Sequence, residues 1–258
     1  MVNRIIHLLC ICFFSSQLAA KPAYDEWQSV DYIQKAFFEV ALKNEYKKST
    51  ERLNRWQSPI QYTVKYIEMP TNDMITSLIT AHLEHLQKIT GHRIQPSQSQ
   101  ANLKIILTRG EYYADMIKRY TQSNVKDLAQ DSNCMGSFRI NSRSEITDAT
   151  VIIPVDRVMG EGLLVACIVE ETTQIMGLPN DSDWVFPSIA NDKSKIELLT
   201  GLDYILLKLL YSKELSPGMK ANEIQPIAEK ILNTWKKNRT IKRSPFIVNR
   251  SGLYPLVN

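Results

Sequence analysis

Beyond its first twenty residues, no stretch of the chain approaches the ~18 uninterrupted apolar residues of a membrane-spanning helix. The sequence carries no internal repeat and no low-complexity segment, which excludes solenoids and collagen-like or linker-like architectures. It also lacks a strong charge of either sign. With 31 Lys and Arg against 27 Asp and Glu the formal charge is +4, too slight to argue for a nucleic-acid partner. Histidine is scarce, with four in 258 residues, so a centre built from imidazoles has little to draw on. Cysteine is scarce too: four in all, with Cys10 and Cys12 close to the start.

What is present begins with a leader. Met1 to Ala20 has one positive charge (Arg4), an apolar run from Ile5 to Phe14 and a polar stretch ending Leu-Ala-Ala. This is the pattern of a secretory signal peptide, too short for a membrane span, with cleavage expected near Ala20. Large Leu9 and Ile11 stand before Cys10 and Cys12, which argues against a lipoprotein site. The expectation is a protein exported to the periplasm or beyond the cell, with no transmembrane segment in the mature chain and a formal charge lowered from +4 to +3 by the loss of Arg4. Cys134 and Cys167 then remain as the only cysteines, and in an oxidising compartment two cysteines read first as one disulfide.

The body of the chain reads as alternating helices and strands. Ile33, Phe37, Val40 and Ala41 follow helical spacing, so residues 21–51 are expected to hold an N-terminal amphipathic helix. Pro59 opens an alternating strand, IQYTVKYI, and Thr71-Asn72-Asp73 offers caps for a helix stopped by Gly91. LKIILT, SFRIN and ATVIIP read as three further strands, and residues 111–129 as partly helical. Three histidines, His82, His85 and His92, lie on or just after the Asn72–Gly91 helix. With no Glu or Cys at ligand spacing they are expected on a solvated face rather than at a metal. Ser194-x-x-Glu197 reads as a capping box for a helix reaching Tyr211, and Pro217-Gly218 as a turn. Residues 221–258 are expected to supply a closing amphipathic helix and a basic tail. The tail holds five cations in the eight residues Lys236 to Arg243, read as a solvated helix end and linker rather than an anionic-surface site. The terminal SPFIVNRSGLYPLVN is expected to add an edge strand or drape over the core.

The stretch around which the rest is arranged is Glu161 to Asp183, EGLLVACIVEETTQIMGLPNDSD. It begins apolar and ends in a cluster of oxygen-bearing side chains. On a helix Glu170 and Gln174 lie one above the other, with Glu171 one step round. Gly177 is suited to a left-handed helix end, and Leu178-Pro179 forces an extended exit that returns Asn180 and Asp181 toward Glu170 and Gln174. Cys167 falls one turn before Glu170, so the expected disulfide pins the Cys134 loop to this helix.

The spacing E-E-x-x-Q-x-x-G-x-x-N-D resembles the zinc motif of metzincin peptidases, H-E-x-x-H-x-x-G-x-x-H/D, with the ligand histidines replaced. Under that resemblance Glu170, Gln174 and Asn180 stand at the three ligand positions, Glu171 at the general base and Gly177 at the turn glycine. FPSIA falls where the Met-turn is expected, with Ser188 at the Met position. LDYILLKLLY, with Asp203 eight residues before Tyr211, looks like the helix that follows in matrixin-type members. Through ERLNRWQSPIQYTV, TGH, the two remaining cysteines, EETTQIMGLPNDSD and LSPGM, the chain also resembles a bacterial family designated domain of unknown function 2927. The likeness spans roughly Arg52 to Met219.

The resemblance implies an α+β, zincin-like core over residues 52–220, with a small mixed sheet and a central helix, flanked by N- and C-terminal helices. Amides are poor zinc donors, so no zinc site is expected. An all-oxygen set at Glu170, Glu171 and Asp181, with Asp183 nearby, suits calcium or magnesium if any cation binds. Without one, adjacent carboxylates repel and one tends toward protonation. The competing structural reading has Glu170 and Gln174 tying the helix to neighbouring loops. The favoured function is a non-catalytic cell-envelope module that binds a peptide or protein partner. A hydrolase using Glu171 as base with an unusual or hard-cation metal site is the alternative.

Overall fold

The computed structural model describes residues 26–44, 51–121 and 127–257. The leader, including Cys10, Cys12 and Ala20, lies outside the described residues. A short 3-10 turn leads into α1 (Val30–Leu42), capped by the Ser29 hydroxyl, which accepts from the backbone N–H of Tyr32. Its buried residues Ile33, Phe37, Val40 and Ala41 are those that helical spacing selects. There follow β1 (Arg55–Trp56), β2 (Ile60–Tyr66) and α2 (Asp73–Thr90). The Asn72 side chain caps α2, and Gly91 ends it in the left-handed conformation. Then come β3 (Ile94–Pro96), β4 (Leu103–Thr108), α3 (Tyr113–Tyr120), α4 (Leu128–Asp131), β5 (Met135–Ile140) and β6 (Glu145–Pro154). The remaining elements are helical: α5 (Val155–Gly160), α6 (Leu164–Gln174), α7 (Gly201–Leu210), α8 (Ala221–Lys237), α9 (Thr240–Val248) and α10 (Tyr254–Val257). No helix among the described residues is long and apolar enough to cross a membrane.

The six strands form one mixed α/β sheet in the order β1-β6-β4-β2-β3, parallel throughout that path. β5 joins β6 antiparallel, with Met135 opposite Ile152 and Gly136 opposite Val151. It pairs with no other strand among the described residues, so one of its edges is open. Alternation along the strands sends Ile105, Val151 and Ile153 into the main core beneath α2 and α6. Ile106, Ile152 and Met135 face the other way, into a smaller core closed by α3 and α4. Both faces of the central strands are therefore dry, and β4 and β6 read as continuous apolar runs for that reason.

Three expectations are corrected and two short strands are added. The helix before Tyr211 starts at Gly201, because the capping box that forms is Thr200 with Asp203, not Ser194 with Glu197. SPFIVNRSGLYPLVN is helical in α9 and α10 rather than a strand. β1 and β3, too short to show a period of two, gave no sequence signal. His82 and His85 are 2% and 4% exposed, not solvated, since α6 and the Gly252 turn cover them. His92 is half-buried, its Nε2 2.9 Å from the Ser58 carbonyl oxygen.

Candidate functional site: an acidic cleft beside an open strand edge

α6 presents two faces. Thr172 and Thr173 turn inward, and each hydroxyl bonds the carbonyl four residues back. Ala166, Glu170 and Gln174, spaced by four, line a cleft of about 480 Å3. The opposite wall of the cleft is the start of β5, and its rim is built from residues 161–163 and 189–197. The disulfide forms as expected: Cys134 and Cys167 are bonded, with Cα atoms 5.9 Å apart, stapling the β5 wall to α6.

Glu171 sits between the two walls, 6% exposed. It stays there because Gly136 has no side chain. A Cβ at Gly136 would lie 2.8 Å from Glu171 Oε2 and 3.0 Å from the Glu171 carbonyl oxygen. Tyr113 lies behind this wall with its hydroxyl 3.0 Å from Ser132 Oγ. Burial, and after it the negative charge of Glu171, push the Tyr113 phenol above its ordinary value.

The end of α6 is held from below. Trp56 Nε1 donates to the Ile175 carbonyl at 2.8 Å and the Tyr211 hydroxyl donates to that of Met176 at 2.9 Å, which satisfies two carbonyls the helix leaves free. Gly177 follows with φ +116, and a Cβ there would lie 2.1 Å from the Asn54 carbonyl oxygen, so the turn requires glycine. The chain then returns as expected, but its side chains divide. The Asn180 backbone N–H bonds the Val40 carbonyl of α1, and its buried side chain donates to the Asp181 carbonyl. Asp181 leans over α6, where its Oδ1 accepts from Gln174 Nε2 at 2.7 Å. Asp183 leaves the cluster for the surface and pairs with Lys193 at 2.8 Å.

A residue without a sequence signal completes the site. The 180–183 return pairs with the following loop through the Ser182 N–H, which donates to the Ala190 carbonyl, and a parallel bridge joins Ser182 to Asn191. That pairing brings Asp192 alongside. Ligand oxygens of Glu170, Asp181 and Asp192 lie within 4.8 Å of one another. Partial burial, and next the neighbouring Asp183, raise the Asp192 carboxyl above its ordinary value. Glu171, expected in this set with Glu170 and Asp181, is not one of the three, because it points to β5 instead. Asp192 is eleven residues past Asp181 across an irregular loop, so periodicity gives no means of finding it.

The loop beneath is fixed by Asp203. Its buried carboxylate accepts from Ser188 Oγ at 2.5 Å, the Ile189 N–H at 3.2 Å and the Thr200 N–H at 2.7 Å. Burial raises its pKa and these hydrogen bonds oppose the rise. Ser188 and Asp203, set apart in the sequence by resemblance alone, are thus direct partners.

In the cleft as a whole, Glu161, Glu170, Glu171, Asp181, Asp192 and Glu197 face one lysine, Lys195. Chemically the arrangement favours a cation or a basic group, and the amide of Gln174 is already engaged by Asp181. A family model described as "Protein of unknown function (DUF2927)" matches residues 30–230, more than three quarters of the chain. No curated protein matches it.

Proposed function

The chain belongs to the DUF2927 family, and from that premise we propose that it is a non-catalytic, zincin-like module of the cell envelope that holds an extended, basic peptide in the cleft between β5 and α6. The observation that carries this reading is the outer edge of β5, unpaired among the described residues, whose first residues Met135 and Gly136 share the cleft with a row of carboxylates. An extended chain laid on that edge gains main-chain hydrogen bonds from the strand. Its side chains then alternate, and those turned to α6 meet Glu170 and Asp181, which select Lys or Arg by charge. At the positions aligned with zinc ligands stand a carboxylate and two amides, and both amides are engaged in holding the turn. That supports a scaffold kept for its shape. The pairing of Gln174 with Asp181 also favours the structural account of these residues over a poised metal site.

The test is titration with short peptides that carry Lys or Arg at alternate positions, followed by amide chemical shifts. Binding should move the amides of residues 135–140 and vanish in Ala166→Arg, which fills the cleft from the α6 side. Equal binding of Glu-substituted peptides, or shifts confined elsewhere, would overturn the proposal.

One observation favours a second reading, a hydrolase with Glu171 as base beside a hard cation: the convergence of Glu170, Asp181 and Asp192. Three carboxylates suit calcium or magnesium rather than zinc. On that reading, cation at 100 times its Kd raises stability by about 2.7 kcal/mol, and chelator reverses it. A melting temperature indifferent to calcium, magnesium and chelator removes this alternative.

A further inference from the structure

The last acidic residue of the chain is Glu229. From Lys230 to Asn258 there are seven Lys and Arg and no Asp or Glu. The sequence alone suggests a solvated helix end, but the fold turns this segment into a surface. α9 buries Ile241, Ser244 and Val248 against the core. On its exposed side lie Lys242, Arg243 and Phe246, spaced by three and four, and exposed Arg239 and Arg250 flank its two ends. Lys236 and Lys237 are exposed at the end of α8, which packs against α9. None of these six cations forms an ion pair with a carboxylate among the described residues. Among these cations Phe246 is 56% exposed, with the Arg250 guanidinium 3.7 Å from its ring centroid. Leu256, on α10 nearby in sequence, is 60% exposed.

The Arg250 contact engages one face of the Phe246 ring and still leaves the residue 56% exposed among cations, more than a solvated basic helix needs. An anionic bilayer accounts for both features. Cations approach phosphate headgroups while an aromatic ring enters the boundary between headgroups and acyl chains. We propose that the α8–α9 face is a peripheral docking surface for an anionic phospholipid membrane. It is independent of the peptide cleft, and its cations, Lys236 to Arg250, all lie beyond the match to the family, which ends at residue 230. A nucleic acid or another soluble polyanion satisfies the cations but leaves Phe246 without a role.

The experiment is flotation of the purified chain with vesicles of phosphatidylcholine alone, or with a one-third fraction of phosphatidylglycerol. Every chain tested begins at Lys21, the mature start expected from the leader, so the apolar Met1–Ala20 segment cannot by itself hold the protein to either vesicle. Wild type should prefer the anionic vesicles at low salt and lose that preference as the ionic strength rises well above about 0.1 M, where the Debye length is already near 10 Å. Each cation removed should weaken binding roughly fivefold, so Lys242→Gln/Arg243→Gln/Arg250→Gln together should cost about a hundredfold. Lys236→Gln/Lys237→Gln, on a different helix, should cost about twenty-five-fold and serves if the triple variant melts early. Phe246→Ser should weaken vesicle binding while leaving binding to a soluble polyanion such as heparin unchanged. Equal retention on neutral and anionic vesicles, or charge variants within about twofold of wild type where about fivefold per cation is expected, overturns the proposal. So does a Phe246→Ser variant indistinguishable from wild type, which would mark the face as a general polyanion site.

Discussion

Acidification should unfold this protein through two histidines that the fold keeps neutral. His82 Nε2 lies 3.3 Å from Thr173 Oγ1, whose own proton is committed to the Val169 carbonyl at 2.6 Å. The hydroxyl oxygen is therefore the acceptor and the Nε2–H tautomer of His82 the donor. Burial first, and next the neighbouring His85, lower the His82 pKa to about 3. Burial and then Lys88 lower that of His85 to about 4. Both native pKa values lie below the unfolded value of about 6.5, so the unfolded chain binds more protons throughout that interval. Stability from these residues is full above pH 6.5 and is lost as pH falls toward the native values. Between pH 7.5 and pH 5 the loss is about 2 kcal/mol for each histidine and about 4 kcal/mol for the two. Asp203, whose pKa is raised, works in the opposite sense and moderates the fall at its lower end. The assay is urea unfolding at several pH values, with the slope against denaturant checked for constancy. His82→Gln/His85→Gln should show a flatter profile over the same range. A loss under about 1 kcal/mol, or ring signals of His82 and His85 titrating near 6.5 in the folded protein, refutes the reasoning.

Removing the disulfide with Cys134→Ser/Cys167→Ser should lower stability by about 3–4 kcal/mol, the chain-entropy value for a separation of 33 residues, read from the denaturant midpoint. Gly177→Ala meets both a φ of +116 and the Asn54 carbonyl, and should cost more than about 2 kcal/mol in the same measurement; a variant as stable as wild type would show that the turn relaxes freely. Gln174→Ala removes the bond that ties α6 to Asp181 and should cost about 1–3 kcal/mol. Glu171→Gln should destabilise modestly, because an amide N–H replaces an acceptor oxygen among the buried contacts of this residue between α6 and β5. Should Glu171→Gln be the more stable protein, a strained catalytic carboxylate becomes the better account of that position.

Much of the fold was legible because local chemistry and tertiary packing agree. The capping groups of α2, the four inward residues of α1, the apolar runs of β4 and β6 and the turn at Gly177 each follow from periodicity or from a single residue's conformational preference. The pairing of Cys134 with Cys167 followed from counting. Glu170 and Gln174 fell on one cleft-facing stripe because they are four apart on a helix that forms. These are properties of short segments, and a sequence states them directly.

What only the tertiary structure decided is which distant segments meet. Asp192 joins Glu170 and Asp181 through loop pairing at Ser182, and Glu171 leaves that group because Gly136 makes room for it on the other wall. His82 and His85 are polar residues on a helix that looked solvent-facing, yet α6 and the Gly252 turn cover them. The exposure of Phe246 among cations depends on which side of α9 finds the core. In each case the outcome rests on burial between elements far apart in the chain. That burial sets a group's charge, its partners and its access to solvent, and no local pattern encodes it.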